Sequence, residues 1–255
     1  MRRIFITGST DGLGKSAASA LIKEGHQVVL HARSKQRVSA FADLARRAAG
    51  VVIGDLASAA ETRALAEQVN KIGRMDAVIH NAGVYRFADR AATPEGHATV
   101  LAVNTLAPYL LTALIERPDR LVYLSSSMHF GGEASLRDID WRERRWDTNQ
   151  AYSDSKLFVT ALAMAVARKW PKVVSSAVDP GWVPTKMGGP GAPDDLEKGH
   201  LTQTWLASSD DAAAMASGGY WHHRQQRKPA AKALDIGFQD ELIDALAKLT
   251  KVPLF

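Results

Sequence analysis

The sequence predicts an α/β fold, a doubly wound parallel sheet with helices on both faces. Two observations carry this. Short apolar runs alternate with helical periods of about 10–20 residues, and glycines punctuate the strand-to-helix turns. Residues 3–7 are short, apolar and bounded by Gly8, which suits a buried parallel strand. Ala17, Ala18, Leu21 and Ile22 recur at helical spacing, and Gly25 stops that helix. Residues 27–31 read as the second strand, about 35–47 as the next helix and 51–54 as the third strand. Residues 58–70 read as a helix with Ser58 as its N-cap. A strand at 75–80, a helix at 94–116 and a strand at 120–125 follow. An Ala-rich helix at 149–169 then leads to a strand at 173–178. The crossovers should be right-handed.

Two stretches break this rhythm. Residues 127–148 are charged and carry WRERRW at 141–146, and residues 188–199 read GGPGAPDDLEKG. Both leave the ends of strands, and no linker or repeat divides the chain. We expect one domain over 1–255, with substrate-loop insertions at about 127–148 and 182–215. At 255 residues it can bury a core without staples. Lys and Arg number 32 against 27 Asp and Glu, a net charge of +5 spread along the chain, which does not call for a nucleic-acid partner. The absence of cysteine excludes disulfides, zinc–thiolate sites and cysteine nucleophiles. The first apolar stretch, residues 4–7, is shorter than the ~7–15 residues of a signal peptide or the ~20 of a membrane span. The expectation is a cytoplasmic protein with no membrane partner.

The first strand runs into TGSTDGLGKSAAS, which puts Gly8, Gly12 and Gly14 where strand turns into helix. Glycine there permits a tight turn and close backbone approach, and the helix N-terminus offers unpaired N–H groups to a phosphate. Two other readings stand beside this one. Gly14-Lys15-Ser16 ends like a P-loop, although that motif needs glycine where Ser9 stands. The turn could also hold no ligand. Further on, AYSDSK at 151–156 sets Tyr152 and Lys156 four residues apart, on one face of a helix. A phenol with a pKa near ~10 is a poor acid or base at neutral pH, and an adjacent ammonium should lower it. The same pair also describes a solvated helix face.

These pieces do not stand alone. His80-Asn81-Ala82-Gly83, Asn104, Ser125-Ser126-Ser127 and Asp179-Pro180-Gly181 follow in order. Together they resemble the short-chain dehydrogenase/reductase family over nearly the whole chain. SSSMH at 125–129, VNTLAPYLLT at 103–112 and AYSDSKL at 151–157 look like its retinol-dehydrogenase-like branch. The resemblance implies a Rossmann-type three-layer α/β/α sandwich that moves hydride between a nicotinamide and a carbonyl or alcohol. It implies that Tyr152 is the general acid in reduction and the base in oxidation. Lys156 would lower the phenol's pKa and hold the nicotinamide ribose. Ser126 would orient the substrate oxygen, and Asn104 would support a water relay from Lys156. Cofactor contacts would come from Gly8, Ser9, Gly12, Leu13 and Gly14, and from the Asp55-Leu56 pair near the adenine. Asn81, Ala82, Gly83, Pro180, Gly181, Val183 and Thr185 complete that set, with Asn81 also supporting the sheet. Tyr152 follows Ser126 by 26 residues, about twice the common family spacing, as in that branch's lengthened substrate loop. A homodimer or homotetramer through the Asn104 and Tyr152 helices is also implied, with a monomer as the alternative in that branch.

The cofactor can be read further. Enzymes that use NAD place a carboxylate at the end of the second strand, for the ribose 2′-OH. Here Ala32 stands there, Arg33, Lys35 and Arg37 follow, and no Asp or Glu occurs between Gly25 and Asp43. Guanidinium groups bind phosphate through paired hydrogen bonds, so NADP(H) is expected over NAD(H). The alternative is that these cations only solvate a helix start. Met128, Phe130, Trp182 and Met187 in the predicted pocket segments 127–150 and 182–215 suggest a small hydrophobic substrate. No metal is expected, because His222 and His223 should face opposite ways on an extended segment. His129 matches a branch histidine but has no physical role at this level. WRERRW reads as a packed, partly solvated flap, and 238–249, with Leu242, Ile243, Leu246 and Leu249, as an amphipathic C-terminal helix. The rival reading is a non-catalytic NADP(H)-binding sensor or scaffold on the same fold.

Overall fold

The computed structural model describes residues 1–39 and 41–255. Its strands are β1 (Arg3–Ile6), β2 (Gln27–Ala32), β3 (Gly50–Ile53), β4 (Ala77–His80), β5 (Arg120–Leu124), β6 (Val174–Asp179), β7 (Gly219–His222) and β8 (Gln225–Arg227). Its helices are α1 (Gly12–Lys23), α2 (Lys35–Ser39), α3 (Ala42–Arg47), α4 (Ala59–Ile72), α5 (Thr99–Leu101), α6 (Ala107–Leu114), α7 (Thr148–Lys169), α8 (Lys198–Ser208), α9 (Ala231–Leu234) and α10 (Ile236–Thr250). The strands form one sheet in the order β3–β2–β1–β4–β5–β6–β7–β8. Every pairing is parallel except the last, where β8 returns antiparallel along β7. The predicted doubly wound sheet is present.

Alternation along the strands explains the two helical layers. Ile4 and Ile6 of β1 join one core with Val28 and Leu30 of β2, whereas Phe5 and Val29 join the other. Successive side chains of a strand point to opposite faces, so each apolar strand feeds both layers. Ala17, Ala18 and Leu21 of α1 pack into the first core. Leu65 and Val69 of α4, with Leu157 and Leu162 of α7, pack into the second. Ser58 caps α4 as expected, its hydroxyl accepting from Glu61 N.

Several boundaries differ from the sequence reading. The helix predicted over 35–47 is two short ones, α2 and α3, and Ala40 between them lies outside the described residues. No residue of α2 is buried, and Phe41 and Leu44 anchor this segment to the core. The helix predicted from 94 begins at Thr99. Pro94 and Gly96 instead occupy a turn closed by Thr93 N donating to His97 O at 2.8 Å, and Asp140 Oδ1 accepts from Ala98 N at 2.7 Å just before the helix. Between α5 and α6 the chain winds as a π-helical turn, Ala102–Leu106.

The C-terminal region supplies elements that the sequence reading did not contain, namely α8, β7, β8 and α9. The helix expected at 238–249 is α10, which buries Leu242, Ile243 and Leu246. It lies on α7, where Phe238 and Phe158 stack with ring centres 6.3 Å apart and Arg168 Nε donates to Gln239 Oε1 at 3.1 Å. Beyond it, Val252 O accepts from Tyr109 Oη at 2.8 Å. As a result α7 is buried from Ala151 through Val166, and α6 from Ala107 through Thr112. The C-terminal segment thus packs on α7 and reaches α6 through Tyr109. Among the described residues, no helix is long and apolar enough to cross a membrane.

Candidate active site

The site begins at the turn after β1. Gly8 and Gly12 adopt φ of +64° and +50°, which side chains rarely accept. A methyl group on Gly14 would lie 2.4 Å from both Gly8 O and Asn81 Nδ2. Asn81 Nδ2 donates to Thr7 O at 2.9 Å, so this asparagine ties the glycine turn to the end of β4. Asp11 caps α1, accepting from Gly12 N at 2.9 Å, and leaves the N-terminal amides of a 12-residue helix facing the turn. His31, which the sequence reading passed over, locks the turn from below. Its Nδ1 accepts from Gly8 N at 2.9 Å and its Nε2 donates to Gly54 O at 2.8 Å, and burial pushes its pKa below the ordinary value. Ser9 belongs to the same lock. It is fully buried and its hydroxyl accepts from His31 N at 2.8 Å, so its side chain shapes the turn. Leu56 also packs into the core, while its neighbour Asp55 stays half-buried. Arg33 stands exposed just past β2.

The second group comes from β5 and α7. Asp147 caps α7, accepting from Asn149 N and Gln150 N, both at 2.9 Å. One turn later Tyr152 and Lys156 share a buried face. Lys156 Nζ donates to Leu124 O at 2.7 Å and sits 5.5 Å from the centre of the Tyr152 ring. Burial pushes the Lys156 ammonium down to about 8, with the Asp179 carboxylate pulling the other way. Tyr152 departs from expectation. Its pKa lies above the ordinary phenol value, because burial outweighs the opposing influence of Ser126 beside it. The ammonium is turned onto a backbone carbonyl and does not lower it.

Asn104 is buried as well. It sits in the π turn, where its Oδ1 accepts from Val84 N at 2.8 Å. Its Nδ2 donates to Val84 O and to Ser155 Oγ, both at 3.0 Å. With both N–H groups engaged, this side chain clamps the loop after β4 to α7. Gly83 lies in that loop, and a methyl group on it would come within 3.5 Å of both Asn104 Oδ1 and Lys156 Nζ.

Floor and roof enclose a cleft of about 380 Å³. Ser126 and Tyr152 line its floor, and Pro180, Gly181, Val183 and Thr185 its roof, with Leu13 at the glycine turn. Met128, Trp182 and Met187 supply apolar surface, as expected. Phe130 does not. It stands 58% exposed and stacks on His129 with ring centres 4.1 Å apart. Tyr85 and Arg86 line the cleft but were not singled out from the sequence, where they lie in a loop with no diagnostic spacing. Tyr85 stacks on Tyr152 with ring centres 4.4 Å apart. Lys186 pairs with Asp11, which closes the roof onto the glycine turn. His222 and His223 do not diverge. His223 has φ of +49°, the strand has ended, and the two rings lie 4.0 Å apart. Among the described residues, no cluster of three or more His, Cys, Asp or Glu could hold a metal ion.

The cradle fits a dinucleotide. Gly8, Gly14 and Gly83 keep open space that side chains would fill between the turn, the loop after β4 and Lys156, and a helix N-terminus faces the same space. The short chain dehydrogenase family model matches residues 2–119. The chain is 41% identical over 257 residues to a short-chain dehydrogenase of Gibberella zeae, covering 100% of this chain and 99% of that one. The chain belongs to the short-chain dehydrogenase family. Retinol dehydrogenase 13 of Homo sapiens is 29% identical over 73% of this chain and 60% of that protein. An uncharacterised protein of Mycobacterium paratuberculosis superposes with a TM-score of 0.85 at 26% identity, over 100% and 95% of the two chains. A blue fluorescent protein from a metagenomic library, solved with NADPH, gives 0.71 at 18% identity, over 87% and 95%. Membership makes this short-chain dehydrogenase an oxidoreductase of alcohol or carbonyl groups that uses a nicotinamide cofactor.

Proposed function

We propose that this short-chain dehydrogenase is an NADPH-dependent reductase of a carbonyl on a small hydrophobic molecule, working in the cytoplasm. The observation that carries the reading is the Tyr152 phenol, held protonated by burial beside Ser126 on the floor of an apolar cleft. A phenol that keeps its proton is a donor to the alkoxide that develops when a carbonyl is reduced. The bound nicotinamide would supply the hydride. In this reading Ser126 donates to the substrate oxygen, Tyr152 gives it a proton, and Lys156 holds the nicotinamide ribose. Asn104 keeps the loop carrying Gly83 against Lys156. Gly8, Gly12, Leu13, Gly14, Asn81, Ala82, Pro180, Gly181, Val183 and Thr185 would line the dinucleotide, with Asp55 at the adenine end. Arg33 would meet the 2′-phosphate, a preference supported by Ala32 ending β2 where a carboxylate would select NAD.

Two measurements test this. Tyr152→Phe should lower carbonyl reduction by ~10²–10⁴-fold while leaving NADPH affinity unchanged. Turnover at wild-type level in that variant overturns the proton-donor role. Tryptophan quenching should give NADPH at least tenfold tighter binding than NADH, a difference of ~1.4 kcal/mol. Equal affinities remove the NADP preference, and tight NADPH binding without turnover on any carbonyl favours the sensor reading.

A further inference from the structure

His129 takes no part in the cleft, yet it is fully buried directly behind Ser126. Its Nδ1 lies 2.7 Å from Ser126 O. A carbonyl oxygen only accepts, so Nδ1 carries the proton. Its Nε2 lies 2.9 Å from Ala230 N. A backbone amide only donates, so Nε2 is bare. Both ring nitrogens are therefore committed, and one tautomer alone satisfies them. The ring is packed between Phe130 and Tyr220, with centres 4.1 and 4.8 Å away. Tyr220 is itself anchored, its hydroxyl donating to Asp179 Oδ2 at 3.3 Å. Ser126 has extended backbone and its hydroxyl accepts from Met128 N at 3.2 Å, so its orientation depends on how this short turn is held.

We infer that His129 is a positioning residue, which as the Nδ1–H tautomer fixes the Ser126 carbonyl and so aims the Ser126 hydroxyl into the cleft. It also ties that serine to the segment leading into α9. This rests on the reductase reading, in which the Ser126 hydroxyl meets the substrate oxygen. A misplacement of about 1 Å near reacting groups can lower a rate by up to ~10²-fold.

Two substitutions separate the nitrogens. In His129→Asn the amide nitrogen falls where Nδ1 stood and keeps the donor to Ser126. In His129→Gln the amide oxygen reaches the Nε2 position, which keeps the acceptor for Ala230 N and loses that donor. Glutamine should lower kcat for carbonyl reduction by ~10–10²-fold. NADPH affinity and KM should stay near wild type, and asparagine should keep most of kcat. Wild-type kcat in the glutamine variant, or equal losses in both variants that follow their Tm values, overturns the proposal. Ala230→Pro leaves the imidazole in place, because φ of −53° suits proline, and removes the N–H facing Nε2. It should give a smaller kcat loss, and none would count against the tie to α9. Nitrogen NMR of the wild type at neutral pH reads the tautomer without any turnover. An Nε2–H or doubly protonated ring overturns the proposal, whereas the Nδ1–H form in a protein that reduces no carbonyl overturns only the reductase reading.

Discussion

Both walls of the cleft rely on glycine, and they rely on it differently. A methyl group on Gly14 would lie 2.4 Å from Gly8 O, and one on Gly188 would lie 2.1 Å from Val183 O. By distance alone, the roof is the tighter of the two. The floor, however, is bolted to the sheet: Gly8 N donates to His31, and Asn81 donates to Thr7 O. The roof is held mainly by bonds within its own loop, such as Trp182 Nε1 to Gly188 O at 2.9 Å and Gly189 N to Thr185 O at 2.8 Å. Trp182 itself is 55% exposed. The cost of a close contact is set by whether its neighbours can move, and here they can move on one wall only.

The sharpest break of this contrast is Gly14→Ala. The added methyl meets a backbone carbonyl that the sheet cannot release, so the loss should reach about 3 kcal/mol. For a chain of this size that is a fall in Tm of roughly 6–12 °C by calorimetry. NADPH affinity should fall at least ~10-fold in the same variant. A Tm within 2 °C of wild type would mean that the floor yields as easily as the roof.

Acid should attack the floor next. His80 ends β4, stacks on Tyr123 with ring centres 4.7 Å apart, and is pushed by burial down to about 3. Above the ordinary histidine pKa of ~6.5 both folded and unfolded states are neutral there, and stability is unaffected. Below it the unfolded chain takes up a proton that the native one refuses, so stability drains as pH falls from about 6.5 toward 3. His80 alone should contribute about 1.4 kcal/mol per pH unit in that window. Urea unfolding of His80→Phe between pH 7.5 and 5 should show a slope shallower by about one proton. An unchanged slope would mean that His80 is charged in the native state.

The same contrast explains what the sequence disclosed. The floor is written in residue types whose order and spacing carry a signal. Gly8, Gly12 and Gly14 at a strand-to-helix turn, and Tyr152 one helical turn from Lys156, announce themselves because their spacing matches the geometry they adopt. His31 and Ser9 were less legible. Their work is a hydrogen bond between a turn and two neighbouring strands, which no local period records. Asn104 was found, but not its clamp on Val84, which depends on where the loop after β4 passes. The direction of the Tyr152 shift was also hidden. It turns on how deeply Tyr152 is buried and on Lys156 choosing Leu124 O, and both are tertiary facts. In the roof, Gly- and Pro-rich residues 188–199 have no period at all, and Phe130 looked like pocket lining until packed outward against His129.

Gly188→Ala tests the roof directly. The methyl meets the carbonyl of the buried Val183, in a loop held mainly by its own bonds, so stability should fall by less than in Gly14→Ala. The displaced Trp182 and Met187 should instead change KM for a carbonyl substrate by a few-fold, leaving kcat near wild type. A Tm loss equal to that of Gly14→Ala would abolish the distinction between the two walls.

The smallest expected effect is at a charged link between them. Lys186 pairs with Asp11, whose carboxyl it holds below the usual carboxylate range, and Arg37 stands 4.0 Å from the same group. The Lys186 side chain is 80% exposed, and such pairs contribute ~0–1 kcal/mol. Whatever Lys186 contributes is present above the unfolded carboxyl pKa and is lost as pH falls through the lower folded one. Lys186→Ala should therefore leave Tm within about 2 °C. It should speed NADPH release a few-fold at low salt, and that difference should vanish near 1 M salt, where the screening length is ~3 Å. Asp11→Ala removes the same link and also the cap of α1, for a further ~0.5–2 kcal/mol. If Lys186→Ala lowers Tm as far as Asp11→Ala does, the strap carries structural load and the roof is as fixed as the floor. If release is unchanged at every salt concentration, the pair neither closes the cleft nor slows its opening, and the roof is held by its internal bonds alone.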